Sequence, residues 1–214
     1  MLVSQVMTKN PVFVHPDMNV NEIRSLMNKE KIGHLPVLDK NNNLTGLVTK
    51  EDLIKAGPSA ATSLDMYEIS YLLSKMTAKE VMNKNVVTVE GSEVVEEAAR
   101  IMADRGIGCL PVMRNKLLIG IITDTDLFRV FVNAFGARHP GLRITCKMPE
   151  KPGQIAKFTH AIAEQGGNIF AFITFDGEDL TSRKVTLKVD GISRAAVEAI
   201  FREQPEVELE DIRE

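Results

Sequence analysis

A mixed α/β (α+β) fold, in which two copies of one small unit pack face to face and are followed by a separate β-α-β-β-α-β sheet, is predicted for this 214-residue chain by three observations. The first is a duplication. Val6-Met7-Thr8-Lys9-Asn10 returns as Val81-Met82-Asn83-Lys84-Asn85, Ile32-Gly33-His34-Leu35-Pro36-Val37 as Ile107-Gly108-Cys109-Leu110-Pro111-Val112, and Gly46-Leu47-Val48-Thr49-Lys50-Glu51-Asp52-Leu53 as Gly120-Ile121-Ile122-Thr123-Asp124-Thr125-Asp126-Leu127. Recurrence of both apolar positions and turn residues implies two similar subdomains that share a face and leave a cleft between them. The second is that breaker-rich stretches, residues 56–63 and 136–141, follow the copies. The third is that the order of elements changes after residue 141.

In the first copy residues 12–14 are extended, His15-Pro16-Asp17 breaks the strand, and Val20, Ile23 and Met27 recur at helical spacing. Residues 35–38 begin a strand, with Pro36 suited to its start or edge, and the polar turn 39–43 leads into strand 44–48 to close a hairpin. The second copy repeats this through 87–89, then Val95, Ala98 and Met102, then 110–113 and 117–122; its shorter turn, Arg114-Asn115-Lys116, accounts for one lost residue. Between the copies a loop over 56–63 precedes an amphipathic helix over 66–76, with Ile69, Leu72, Leu73 and Met76 on one face and Ser63 or Asp65 as its cap. Residues 128–135 continue the last helix of the second copy.

The remainder reads as strand 142–148, helix 153–164 with Ile155, Phe158, Thr159 and Ile162 inward, a stop at Gly166-Gly167-Asn168, strands 169–175 and 184–189 about the turn Asp176-Gly177-Glu178-Asp179, helix 194–203 and strand 207–212. That order suggests a ferredoxin-like sheet with helices on one face. The expected boundaries are 1–58 for the first repeat, 59–79 for the connecting loop and helix, 80–135 for the second repeat, 136–141 for a linker and 142–214 for the last domain.

With 44% apolar residues the chain can bury a real core. Residues 1–141 hold 16 Lys+Arg against 16 Asp+Glu and residues 142–214 hold 10 against 13, so neither part has the basic excess of a phosphate-backbone reader and no nucleic-acid partner is expected. The two cysteines, Cys109 and Cys146, each sit in an apolar stretch and read as buried thiols. The N-terminal residues lack the pattern of a signal segment and no window reaches membrane-span length, so a cytoplasmic protein with no membrane partner is expected.

The sharpest repeated motif is a strand ending in Gly-x-x-Thr-x-x-Asp and turning into a helix. Thr at the N-cap with an acid three residues on is a capping box, worth about 1 kcal/mol by itself. A helix start also presents free N–H groups and positive potential, which favour an anionic or polyhydroxylated ligand. Together with the Gly-His-Leu-Pro-Val and Gly-Cys-Leu-Pro-Val blocks and the Val-Met at each repeat start, residues 1–135 resemble paired cystathionine β-synthase (CBS) domains, or a Bateman module. The resemblance implies a pseudo-two-fold pair with two clefts for adenosine-containing ligands. It would place Asp52 and Asp126 on ribose hydroxyls, Thr49 and Thr123 near ribose or phosphate, and Val12, Phe13, Val14, Val87, Thr88 and Val89 with Leu35, Pro36, Leu110 and Pro111 along the base slots. His34 and its counterpart Cys109 are read either as packing residues or as ligand contacts. Lys50 follows Thr49 where Asp124 follows Thr123, so the two sites are expected to be unequal.

Glu150-Lys151-Pro152-Gly153-Gln154-Ile155 followed by Gly166-Gly167-Asn168-Ile169 resembles the ACT domain, a regulatory module that often binds amino acids at a subunit interface. The resemblance implies an amino-acid site at Pro152, Gly153, Gln154, Asn168 and Ile169, or a purely dimerising role. The combined arrangement is similar to the acetoin-utilisation B-type proteins of bacteria. Enzyme motifs are thin: the four histidines lack metal-ligand spacing, so no metal site is expected, and no Gly-x-Ser-x-Gly or phosphate-binding Lys loop occurs. The expectation is a non-enzymatic regulatory sensor and homodimer that requires no cofactor, takes an adenine nucleotide or S-adenosylmethionine as ligand, and acts on a regulated protein partner. A structural dimerisation module and a small nucleotide-acting enzyme are the alternatives.

Overall fold

The computed structural model describes residues 1–57, 65–177 and 180–214. They fall into two compact units, Met1–Leu127 and Phe128–Glu214. The capping role expected of Ser63, most of the loop over 56–63, and Glu178 and Asp179 of the acidic turn lie outside the described residues.

The first unit is the duplicated one. Its first half runs α1 (Val3–Val6), β1 (Thr8–Lys9), α2 (Val20–Glu30), β2 (His34–Leu38), β3 (Leu44–Thr49) and α3 (Lys50–Lys55). After α4 (Met66–Lys75), the second half runs α5 (Ala78–Val81), β4 (Val89–Glu90), α6 (Val95–Arg105), β5 (Cys109–Arg114), β6 (Leu117–Thr123) and the start of α7 (Asp124–Ala134). Each half closes an antiparallel hairpin with the same register, His34 opposite Thr49 and Cys109 opposite Thr123, and with an irregularity at the same place, after Val37 and after Val112. Asp39 fixes the first hairpin turn by accepting from the Asn41 and Asn43 amides at 2.8 and 2.9 Å, as a short acidic side chain does in an Asx turn.

Two equivalent cores follow. Val14, Val20, Ile23, Met27, Leu35, Val37 and Val48 form one, and Val89, Ala98, Met102, Leu110, Val112 and Ile122 the other. A smaller cluster of Leu47, Cys109 and Ile121 joins the halves.

The leader of each copy serves the other copy. Thr8 and Lys9 pair with Ile121 and Gly120 of β6, whereas Asn83 bridges to Leu47 of β3. Val3 of the first leader lies in the core of the second half, and Ala78 of the second leader in the core of the first. Glycine is required where the leaders cross: a Cβ on Gly46 would lie 2.7 Å from Met82 Cγ, and one on Gly120 would lie 2.9 Å from the Thr8 carbonyl and 3.0 Å from Met7 Cγ. The repeated Val-Met and the repeated glycine thus form one reciprocal contact. Each leader opens with a helical turn, α1 or α5, that is too short for apolar periodicity to show in the sequence.

Asp65 caps α4 through bonds of 2.8 Å from the Tyr67 and Glu68 amides. Of the four residues expected on its inner face, Leu73 is buried, whereas Leu72 is half exposed. At 100° per residue, Leu72 stands at the margin of the stripe through Ile69, Leu73 and Met76.

The second unit contains the rest of α7, then β7 (Leu142–Pro149), α8 (Gln154–Glu164), β8 (Asn168–Asp176), β9 (Ser182–Asp190), α9 (Arg194–Glu203) and β10 (Glu208–Arg213). The sheet order is β10-β7-β9-β8 with every neighbour antiparallel, the ferredoxin-like arrangement the element order implied. Phe158 and Ile162 of α8 and Val197, Ile200 and Phe201 of α9 pack on Ile144, Cys146, Val185, Leu187 and Val189. Each fully buried aliphatic side chain here contributes roughly 1.5–3 kcal/mol. Ile155, expected inward, is instead exposed, because the buried stripe of α8 runs through Phe158, Ala161 and Ile162 and leaves it at the margin.

Candidate ligand site

Each hairpin delivers its second strand directly into a helix, and the Thr–Asp pair makes that junction rigid. Thr49 is the N-cap of α3: its amide and hydroxyl donate to Asp52 Oδ2 at 2.8 and 2.7 Å, and Asp52 N donates to Thr49 Oγ1 at 3.2 Å. Thr123 and Asp126 repeat the set at 3.0, 2.8 and 3.4 Å. The next amides, of Lys50 and Asp124, donate to the Gly33 and Gly108 carbonyls, both at 3.0 Å. That ties the residue before each Leu-Pro strand to the start of its helix. Both carboxylates therefore cap, as the spacing demands, and the pairing with threonine uses Oδ2.

Around the first junction lies a cavity of about 490 Å³. One wall is Gly33, His34 and the Thr49-Lys50-Glu51-Asp52 corner with Lys55; the other is Asn83, Asn85, Val86 and Val87 of the second leader together with Gly106, Ile107, Gly108 and Cys109. The exchanged leader makes this enclosure: Leu47 and Asn83 exchange both backbone hydrogen bonds, at 3.0 and 2.9 Å, and so hold Val86 and Val87 across from Asp52. The walls combine carboxylates, ammonium groups, amides and an apolar strip, which suits a ligand that has a polyol, a charged tail and a flat apolar ring.

His34 sits where the halves meet. A Cβ on Gly108 would be 3.6 Å from His34 Nε2 and 3.4 Å from Asp124 Oδ2, so the absent side chain leaves room for groups from both copies. Burial pushes the His34 pKa below its ordinary value; Asp124 and Asp52 pull it up and Lys50 pushes it down further. Cys109 is buried, and its thiol is pushed up to about 12, chiefly by desolvation and secondarily by Asp124, so it stays protonated and serves as packing.

The cavity thus gathers Thr49, Asp52, His34, Val87 and Cys109 from the residues expected at a site. Others go elsewhere. Leu35, Leu110, Val14 and Val89 are in the hydrophobic cores, and Pro36 and Pro111 are buried in β2 and β5. Val12, Phe13 and Thr88 are exposed. Asp126 is only 5% exposed, so the second junction is more closed than the first. Sequence reasoning missed Asn83, Asn85, Val86 and Ile107 as lining residues, although the first two belong to the repeated leader motif.

In the second unit the residues expected around an amino acid do not converge within one chain. Leu142 and Ile169 both pair with Val189, whereas Pro149 pairs with Ser182 at the other end of β9. Asn168 and Ile169 therefore lie at the end of the sheet opposite the Pro152-Gly153-Gln154 loop, because the 11-residue α8 carries the chain about 16 Å between them. Gly153, at φ 84°, does open α8 as a left-handed turn residue.

Among the described residues no group of three or more His, Cys, Asp or Glu could hold a metal ion, and no helix is long and apolar enough to cross a membrane.

The CBS domain family matches at residues 3–59 and 78–133. The CBS domain pair of protein MJ0100, solved in complex with 5′-methylthioadenosine and S-adenosyl-L-methionine, is 28% identical with a TM-score of 0.52, and the match covers 65% of this chain and 98% of that one. A crystal structure of a putative acetoin utilization protein from Vibrio cholerae is 31% identical with a TM-score of 0.54, over 65% of this chain and 98% of that one. The L-aspartate semialdehyde sulfurtransferase of Methanocaldococcus jannaschii is 29% identical over 131 residues, 61% of this chain and 23% of that enzyme. The chain thus spans about a quarter of the length of the first curated relatives it matches.

Proposed function

The chain belongs to the CBS-domain family, and from that premise we propose that it is a cytoplasmic, non-enzymatic regulatory sensor whose first unit binds an adenosine-containing ligand in the cavity at Thr49 and Asp52. The observation that carries this reading is the enclosure itself: a space of about 490 Å³ with a capping carboxylate on one wall and the exchanged Val86-Val87 segment on the other. Asp52 accepts from the two neighbouring ribose hydroxyls, a charge-assisted arrangement that one carboxylate can make bidentately. Thr49 orients Asp52, Val86, Val87 and Ile107 contact the base, and Lys50 and Lys55 face the 5′ tail. Thr123 and Asp126 form the second, tighter site. The complex of the MJ0100 pair with two adenosine compounds supports this ligand class.

The second unit acts as an ACT-like module that assembles a homodimer, and an amino acid bound there uses residues from both ends of the sheet. Ligand favours one arrangement of the two repeats, and the bias passes to a protein partner; only differential affinity for the two arrangements does this. The likeness to the Vibrio cholerae protein supports a role in acetoin or energy metabolism.

A thermal-shift panel of AMP, ADP, ATP, S-adenosylmethionine and amino acids tests the reading. A ligand at a hundred times its dissociation constant stabilises the native state by about 2.7 kcal/mol. A panel in which no adenosine compound raises the melting temperature rejects the sensor, and product formation on prolonged incubation rejects the non-enzymatic assignment.

A further inference from the structure

Two basic side chains on the cavity wall lack a protein partner. Neither ring nitrogen of His34 makes a hydrogen bond or ion pair among the described residues, whereas His15 Nδ1 meets the Leu38 carbonyl at 3.0 Å and His160 faces Glu164 at 3.4 Å. His34 is half-buried and lines the cavity. Lys50 lines it as well. Lys55 pairs with Glu51 at 2.9 Å, but Lys50 has no carboxylate at ion-pair distance among the described residues. Its Cδ lies 3.9 Å from where a Cβ on Gly33 would stand, beside the residue that precedes His34. Asp124 reaches the same place from the second repeat. The Thr125 amide and hydroxyl donate to its Oδ1 at 2.6 and 3.2 Å. That leaves Oδ2 over Gly108, where it and His34 Nε2 approach one point without bonding each other.

We propose that the first cavity takes an adenosine compound with a phosphate tail, and that His34 binds one proton from solvent as the tail arrives, with Asp124 of the other repeat supporting the imidazolium. The inference rests on the sensor reading and adds to it the charge of the ligand and the proton that accompanies it. Three charged groups act on His34: Asp124 at the start of α7, and Lys50 and Asp52 of α3. Asn83 and Asn85 of the leader carry no charge, and the Cys109 thiol of β5 stays protonated. Burial outweighs the two carboxylates, so the ring is neutral near pH 7. A phosphate monoester brings about −1.5 to −2 charges, and an anion at this distance favours the charged imidazole. The imidazolium then donates an N–H to a phosphate oxygen, a charge-assisted bond beside the unpaired ammonium of Lys50. The second junction has neither basic group, because Cys109 stands in the place of His34 and Asp124 in the place of Lys50.

The test is calorimetric titration of the full chain with AMP and with adenosine at pH 7, repeated in buffers of low and high ionisation enthalpy, which reads the protons taken up per ligand bound. The parent takes up protons with AMP and none with adenosine, and it binds AMP more tightly as the pH falls from 7 to 6, by up to about tenfold per unit for one proton. The phosphate itself titrates near pH 6, at about the same pH as the ring, so His34→Gln is the reference: it binds AMP more weakly and its uptake is gone. Asp124→Asn binds AMP with reduced uptake. No uptake by the parent, unchanged uptake in His34→Gln, or as much uptake with adenosine as with AMP overturns the proposal. If His34→Gln unfolds, Asp124→Asn decides, and unchanged uptake there overturns it. AMP bound without protons defeats this inference and leaves the sensor standing, whereas a chain that binds no adenosine compound loses both.

Discussion

Asp52 and Asp126 occupy the same place in their repeats and make the same bonds to threonine, yet burial separates them. Asp52→Ala removes the hydrogen-bond acceptor from the cavity wall at a cost of about 1 kcal/mol, the usual loss for a helix cap; we expect the melting shift with adenosine ligands to vanish while the unliganded melt moves little. Asp126→Ala strips a nearly buried carboxylate and leaves the Thr123 amide and hydroxyl short of a partner, which costs about 1–3 kcal/mol. Its unliganded melt therefore falls further, which denaturant titration of both variants checks. His34 supplies a pH dependence. Its folded pKa lies below the unfolded value near 6.5, so between the two the unfolded chain binds more protons and stability falls as pH drops through that window. The parent is expected to lose melting temperature from pH 7 to pH 5 faster than His34→Gln; equal slopes contradict it. At this scale the capping pairs Thr49–Asp52 and Thr123–Asp126 were legible because a repeated motif marks them. Leu35 and Leu110 were not, since an apolar residue in a motif reads alike whether it lines a slot or fills a core.

The hairpins, the long helices and the sheet of the second unit were legible because each has the period of its class and a strong boundary: Asp39 in one turn, Gly153 before α8, Ser193 as the cap of α9, accepting from Ala196 N at 3.2 Å. The helical turns α1 and α5 have neither. The destination of the leaders was equally hidden, because a duplication shows that the Met and the Gly recur and not that they meet or which copy supplies each. The geometry now separates the two glycines. Gly120→Ala meets a backbone carbonyl that cannot move alone, whereas Gly46→Ala meets only the flexible Met82 side chain. Overpacking of this kind costs about 1–3 kcal/mol; we expect Gly120→Ala at the upper end and Gly46→Ala at the lower. Met82→Ala added to Gly46→Ala should recover part of the loss in a double-mutant cycle, and strictly additive effects would show that the two do not touch.

Across the whole molecule the halves share register, cores and junctions but differ in the charge beside the ligand corner, Lys50 in one and Asp124 in the other. Isothermal titration with AMP should therefore give two unequal sites, or one; two identical sites would contradict the asymmetry. The exchange of leaders also bears on how the chain is made. Thr8 finds its partner at Ile121, so the first leader must wait, undocked, until the second hairpin has been synthesised. A contact so distant along the chain closes late and slowly, and a nascent chain arrested after the first repeat would carry a hairpin whose fitting methionine, Met82, has yet to be translated.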